Sequence, residues 1–180
     1  NDIFNRPLDQ SSYLEKLSLV VDSGIRVMID VISANPYETA QDKQAVLQFY
    51  LKILNIILHR STVDQPVKIY DHKLMYFPGT PLYERALKDR HIPCDYVEKV
   101  LLKRSTLRHH KEDMDNDAMI VWLFNIAARK KRFCKTAYTL LRIMAIPPVF
   151  SAITRYNPAG RFGRVFQIPV VKTLMDKIQL

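Results

Sequence analysis

Two short segments rich in β-branched residues stand on either side of one long apolar helix pattern, and this arrangement limits the fold more than any other feature of the chain. Residues 25–32 (IRVMIDVI) are bounded by Gly24 and the turn-like Ser33-Ala34-Asn35-Pro36; residues 67–77 form the second run. Both read as strands. Between them Thr39-x-x-Asp42 opens a helix to about His59. Its apolar positions, from Val46 and Leu47 to Ile57 and Leu58, nearly encircle the axis, so it is expected to be covered on more than one side. A strand, a long helix and a second strand make a βαβ unit, which predicts parallel strands and a right-handed crossover. Two parallel strands are not a stable sheet alone. Further strands are therefore expected upstream.

Flanking patterns complete the order. Ser12-x-x-Glu15 reads as a capping box ahead of Leu14, Leu17, Val20 and Val21, with Gly24 as the stop. Thr80-Pro81 starts a third helix over residues 82–90. The expected fold class is α/β: helix–strand–helix–strand–helix over residues 1–98, then an all-helical extension over residues 99–180. Charge marks the same division. The net charge of +9 splits into 11 Lys/Arg against 13 Asp/Glu before residue 99 and 16 against 5 after it. In the second half Asp113, Asp115 and Asp117 precede an apolar run that closes on Arg129-Lys130-Lys131-Arg132, complementing a helix dipole. Helices are also expected over residues 135–146, after Pro148 and after Pro169.

Composition excludes several classes. With 48% hydrophobic and 25% charged residues the chain is expected to fold rather than stay disordered. No apolar run approaches the roughly 18 residues of a membrane span. The longest, residues 137–153, is broken by Arg142 and Pro147-Pro148, and a cytoplasmic location is expected. Cys94 and Cys134 are too far apart to suggest a disulfide framework or metal knuckle, and read as half-buried apolar residues.

The segments GIRVMIDVISANPYET (residues 24–39) and LMYFPGTPLYERA (residues 74–86), with Asn5-Arg6-Pro7 ahead of them, resemble the second half of the radical S-adenosylmethionine partial barrel. The similarity is greater to the branch that also binds cobalamin through a separate N-terminal domain. Asp30, Ile32, Pro36, Glu38 and Thr39 match the pattern that ends the family's fifth strand. Phe77, Pro78, Gly79, Thr80, Leu82 and Tyr83 match the pattern that ends its sixth. The resemblance implies a fragment of a partial (β/α) barrel over residues 1–98. It implies that Ile32, Ala34, Pro36, Phe77 and Pro78 lie against the adenosyl group of S-adenosylmethionine, although many members carry glycine where Ala34 stands. The parent enzyme would use a 4Fe–4S cluster, S-adenosylmethionine and, in this branch, cobalamin. Its substrate would be a small molecule or macrocycle, as in methyltransferases and the oxygen-independent magnesium-protoporphyrin monomethyl ester cyclase. The cluster-binding C-x-x-x-C-x-x-C loop belongs to earlier strands and is not in these 180 residues. Three thiolates hold such a cluster with one iron open. No catalytic and no metal-ligating residue is therefore assigned here, and this chain alone is expected to be inactive, its partner being the N-terminal half of the same enzyme.

Competing readings are plainer. Ile32 and Phe77 would also suit a core, and Pro78-Gly79 a turn. Asp30 would suit a carboxylate bonded to backbone, and Glu38 a helix N-terminus. Asp71 and His72, adjacent on a strand, point to opposite faces and cannot act together. His109 and His110 read as solvated surface. The alternative function is a basic helical module for nucleic acid or an acidic protein partner, using Trp122, Phe133, Tyr138 and Phe162. A membrane contact through residues 138–156 has the basic residues, but the face reads as too short and too broken by proline. The open sheet predicts a homodimer, or shielding of the sheet by the C-terminal helices.

Overall fold

The computed structural model describes residues 9–61, 63–102, 115–129 and 131–156, the last without the side chains of 131–134. Asn5-Arg6-Pro7, His109, His110, Phe162, the helix expected after Pro169 and the side chains of Phe133 and Cys134 lie outside the described residues. Among the described residues the fold is mixed α/β and mostly helical, with two parallel strands in one sheet. In order come α1 (Gln10–Asp22), β1 (Val27–Ser33), α2 (Ala40–Arg60), β2 (Val67–Lys73) and α3 (Pro81–Lys88). A π-helical turn (Val97–Leu101), α4 (Asn116–Arg129), α5 (Lys131–Met144) and α6 (Pro147–Tyr156) follow.

Local chemistry explains the boundaries. Thr39 caps α2 with both capping-box bonds to Asp42 in place. Thr80 caps α3, with Pro81 at its first turn. Helix α1 starts earlier than Ser12-x-x-Glu15 implies. Asp9 is its cap, accepting from the Ser11 and Ser12 amides, because a carboxylate three residues upstream reaches those amides first. Gly24, at φ +71, then turns the chain out of α1. Strand β2 ends at Lys73, short of Phe77. The chain turns inward there, burying Tyr76 in a small second core with Tyr83, Ala86, Ile92 and Tyr96.

The strands pair from Val27↔Val67 to Ser33↔Lys73. One face carries Val27, Ile29 and Val31 of β1 with Val67 and Ile69 of β2, and packs into the main core. There Leu47, Tyr50, Ile53, Leu54 and Ile57 of α2 meet Leu17 and Val21 of α1, Phe124 of α4, Leu141 of α5 and Phe150 of α6. Residues on both sides of position 99 thus share one apolar core. The other face is open: Met28 is 72% exposed and Ile32 54%.

The two edges of the sheet differ. Asn125 of α4 accepts from the Ile69 amide at 2.9 Å and donates to the Ile69 carbonyl at 2.8 Å. Its carboxamide acts as one more strand residue on the far edge of β2, a helix-borne cover of the kind that stops edge pairing. On β1, ladder alternation turns the backbone groups of Met28, Asp30 and Ile32 to the opposite edge. Among the described residues no backbone hydrogen bond is made to that edge.

Ala34 takes φ +60, in the left-handed region that favours glycine. Left-handed backbone strains alanine by about 1–2 kcal/mol, and the greater unfolded freedom of glycine offsets about half of that. Ala34→Gly is expected to stabilise by about 0.5–1 kcal/mol, measured as a higher urea midpoint at an unchanged slope.

Candidate functional site

Parallel strands bring the two motif-bearing loops to one end of the sheet, where ligands of open α/β sheets bind. The Leu74 amide donates to the Ser33 carbonyl at 2.8 Å, continuing the ladder to the point where the loops diverge. The first loop carries Ala34 and Pro36, the second Phe77 and Pro78; all four are exposed, as is Ile32 at the end of β1. Phe77 is 57% exposed. Neither Ile32 nor Phe77 is a core residue. Pro78-Gly79 does form a turn: Gly79 has φ +82, and the Thr80 amide donates to the Phe77 carbonyl at 3.2 Å. This is type II geometry, with proline and glycine at its two central positions, and it leaves the Phe77 ring outside.

Tyr37 ties the first loop to the C-terminal end of α3. Its hydroxyl donates to Asp89 Oδ2 at 3.0 Å, just beyond α3. The Arg85 guanidinium lies 4.5 Å over its ring, and His91 meets the ring edge-on at 5.0 Å. The second loop is anchored by the Tyr76 amide, which donates to the Tyr96 hydroxyl at 3.3 Å. Burial pushes the Tyr76 phenol up to about 12, so it stays neutral throughout the ordinary pH range.

The open face holds a polar pair that neither motif announces. His72 Nε2 lies 2.8 Å from Asp30 Oδ1, diagonally across the strands. Asp30 thus meets a side chain rather than backbone. Asp71 faces the other way, toward Lys73, so the opposed directions of Asp71 and His72 hold. The partner of His72 was out of reach of sequence spacing because it depends on the register between distant strands.

Beneath the sheet, Lys73 Nζ meets Asp115 Oδ2 at 2.6 Å, Asp71 Oδ2 at 2.9 Å and Ser33 Oγ at 2.9 Å, and Lys43 pairs with Asp117 at 2.8 Å. The acids at the start of α4 therefore dock on the strands and α2 as well as facing the helix dipole; Asp115 also accepts from the Ala118 amide. Burial raises the Glu38 carboxyl against the opposing pull of Lys43, with Asp117 and Asp42 adding to the rise. A cavity of about 40 Å³ lies among Val31, Glu38, Lys43, Tyr50, Asp71 and Asp117. It has room for water and none for a nucleoside, whose pockets run to hundreds of Å³.

Cys94 is exposed rather than half-buried. Among the described residues no three His, Cys, Asp or Glu side chains gather as metal ligands. Cys94 and Cys134 cannot supply the three thiolates of a 4Fe–4S cluster, so such a cluster does not fit the donor set of these residues. Of the aromatics proposed for a nucleic-acid face, Trp122 and Tyr138 are half-buried. Among the described residues no single helix is long and apolar enough to cross a membrane. No family model, no curated protein and no solved structure matches the chain.

Proposed function

We propose that this chain is the C-terminal part of a radical S-adenosylmethionine enzyme, and that the carboxyl ends of β1 and β2 form one wall of its adenosyl site. The observation that carries the reading is the asymmetry of the sheet. Asn125 closes the β2 edge, while among the described residues no backbone hydrogen bond is made to the β1 edge, and Met28 and Ile32 on one face are exposed. A sheet that ends at β2 and continues beyond β1 suits the fifth and sixth strands of a six-stranded partial barrel, with helices outside and the open face inside. Ile32 would lie on the adenine ring, with Ala34, Pro36, Phe77 and Pro78 around it. Upstream strands would supply the cluster thiolates and the site for the methionyl amine. S-adenosylmethionine on a reduced cluster supplies radical chemistry in such enzymes; this chain contributes apolar contact and the Tyr37 tie from its first loop to α3.

The test is calorimetric titration of the full-length protein with S-adenosylmethionine. Ile32→Asp would set a charge against the adenine face, where an unpaired charge costs several kcal/mol. Affinity is expected to fall by about a hundredfold or more, with the circular dichroism spectrum retained. Lys135→Glu, exposed on α5, should leave affinity unchanged. The reverse pattern, with Lys135→Glu abolishing a salt-sensitive oligonucleotide interaction and Ile32→Asp without effect on S-adenosylmethionine, would replace this reading by the nucleic-acid one.

A further inference from the structure

The proline break between α5 and α6 builds a feature that its sequence does not suggest. The two helices meet at 86°. The corner is held from inside: Gln44 and Gln48 of α2 both donate to the Ala145 carbonyl, at 3.2 and 3.4 Å. From across the break the Phe150 amide donates to the Ile146 carbonyl at 2.8 Å. Ala137, Leu141 and Met144 of α5 and Phe150 of α6 are buried, which uses the inner face of the pair. The outer face of α5 is mixed, with exposed Lys135, Thr136, Thr139 and Arg142 beside three exposed aliphatic side chains. Leu140, Ile143 and Ile146 are 46%, 47% and 47% exposed, at helical spacing along one ridge that ends at the corner.

The exposed charged side chains described on α5 and α6 are of one sign, and neither helix contains Asp or Glu. Lys135, Arg142 and Arg155 are exposed on α5 and α6. The Arg142 guanidinium lies 5.9 Å over the Tyr138 ring, and Arg155 lies 5.9 Å over Tyr156. Long basic side chains and tyrosines beside an aliphatic ridge are the composition of an interfacial contact, with ammonium and guanidinium groups at headgroup level and the aliphatic groups below.

We propose that the α5–α6 corner is a peripheral docking surface for an anionic lipid bilayer, with Leu140, Ile143 and Ile146 entering the headgroup boundary. The pair does not span the membrane, because its inner half is already committed to the protein core. Nucleic acid fits less well: phosphate would account for the bases but gives no partner to three exposed aliphatic side chains. Rigidity favours the docking, since the glutamine bonds fix the ridge before any lipid is met.

The experiment is co-sedimentation of the full chain with phosphatidylcholine vesicles, with and without phosphatidylglycerol, at low and high salt. Binding is expected only to the anionic vesicles, weakening as salt rises. Ile143→Ser with Ile146→Ser should weaken it by about tenfold or more, and Arg142→Gln with Arg155→Gln by a similar factor. All four positions are exposed, so the circular dichroism spectrum should not change. The proposal is overturned by absence of binding to anionic vesicles, or by binding that survives the serine pair. It is equally overturned if the serine pair merely converts a dimer to monomer without lipid, or if an oligonucleotide displaces the vesicles and binds both variants as the parent does.

Discussion

Lys73→Met should destabilise the fold by about 3 kcal/mol, at the lower end of the range for breaking a buried ion pair. The Lys73 side chain is 24% exposed, and its partners Asp71 and Asp115 are 11% and 35% exposed. Two carboxylates from different elements converge on one ammonium. Removing it leaves them facing each other in a site where water replaces the cation poorly. Burial works against the charged lysine, but the hydrogen bonds and charges of Asp115 and Asp71 outweigh it and hold the ammonium above the ordinary lysine range. A base with a raised folded pKa contributes its stability below the unfolded value and loses it as pH climbs through the folded one. The lysine contribution should therefore be constant across neutral pH and decline only in strong alkali. Urea denaturation measures the loss. Adding Asp71→Asn and Asp115→Asn to the methionine variant should recover part of it, because the stranded charges are the cost. A loss under about 1 kcal/mol would mean that the cluster behaves as a solvent-screened surface pair.

Asn125→Leu should cost about 2–3 kcal/mol, since the Ile69 amide and carbonyl both lose their partner on a half-covered edge. Leucine keeps the branched skeleton of asparagine but is larger, so overpacking adds to the effect. Hydrogen exchange separates the two: the Ile69 amide should exchange much faster in the variant, while the Leu54 and Phe124 amides keep their protection until global opening. Asn125→Asp restores the acceptor but not the donor, and should lie between. If Asn125→Leu is neutral, water serves that edge and the sheet does not end at β2.

The βαβ unit was legible because each part has a local cause: β-branched runs, a capping box at Thr39, a proline at the start of α3. The parallel pairing followed from the length of α2. Strand ends were less legible. Residues 74–77 look as β-prone as the rest of β2, but Tyr76 is drawn into a separate core with Tyr83 and Tyr96. The start of α1 was misplaced because two adjacent patterns, Asp9 with Ser12 and Ser12 with Glu15, compete for one helix end. The carboxyl-end loops were found through motif residues, and Ile32, Ala34, Pro36, Phe77 and Pro78 do stand at one end of the sheet. The long-range side-chain contacts were not legible. Tyr37 with Asp89, Asp30 with His72 and Asn125 with Ile69 span 52, 42 and 56 positions, and such pairings follow from register and helix docking rather than spacing. The α5–α6 corner is the converse case: the prolines that rule out a continuous apolar helix create the angle that presents Ile146.

The proposed adenosyl site lies against the carboxyl ends of β1 and β2. The most direct measurement is photolabelling of the full-length protein with an 8-azidoadenosyl analogue of S-adenosylmethionine, followed by mapping of the modified peptides. The predicted result is label on residues 32–36 and 77–79, suppressed by unlabelled S-adenosylmethionine. Label confined to the helices from Asn116 onward, or label that S-adenosylmethionine does not displace, would contradict it.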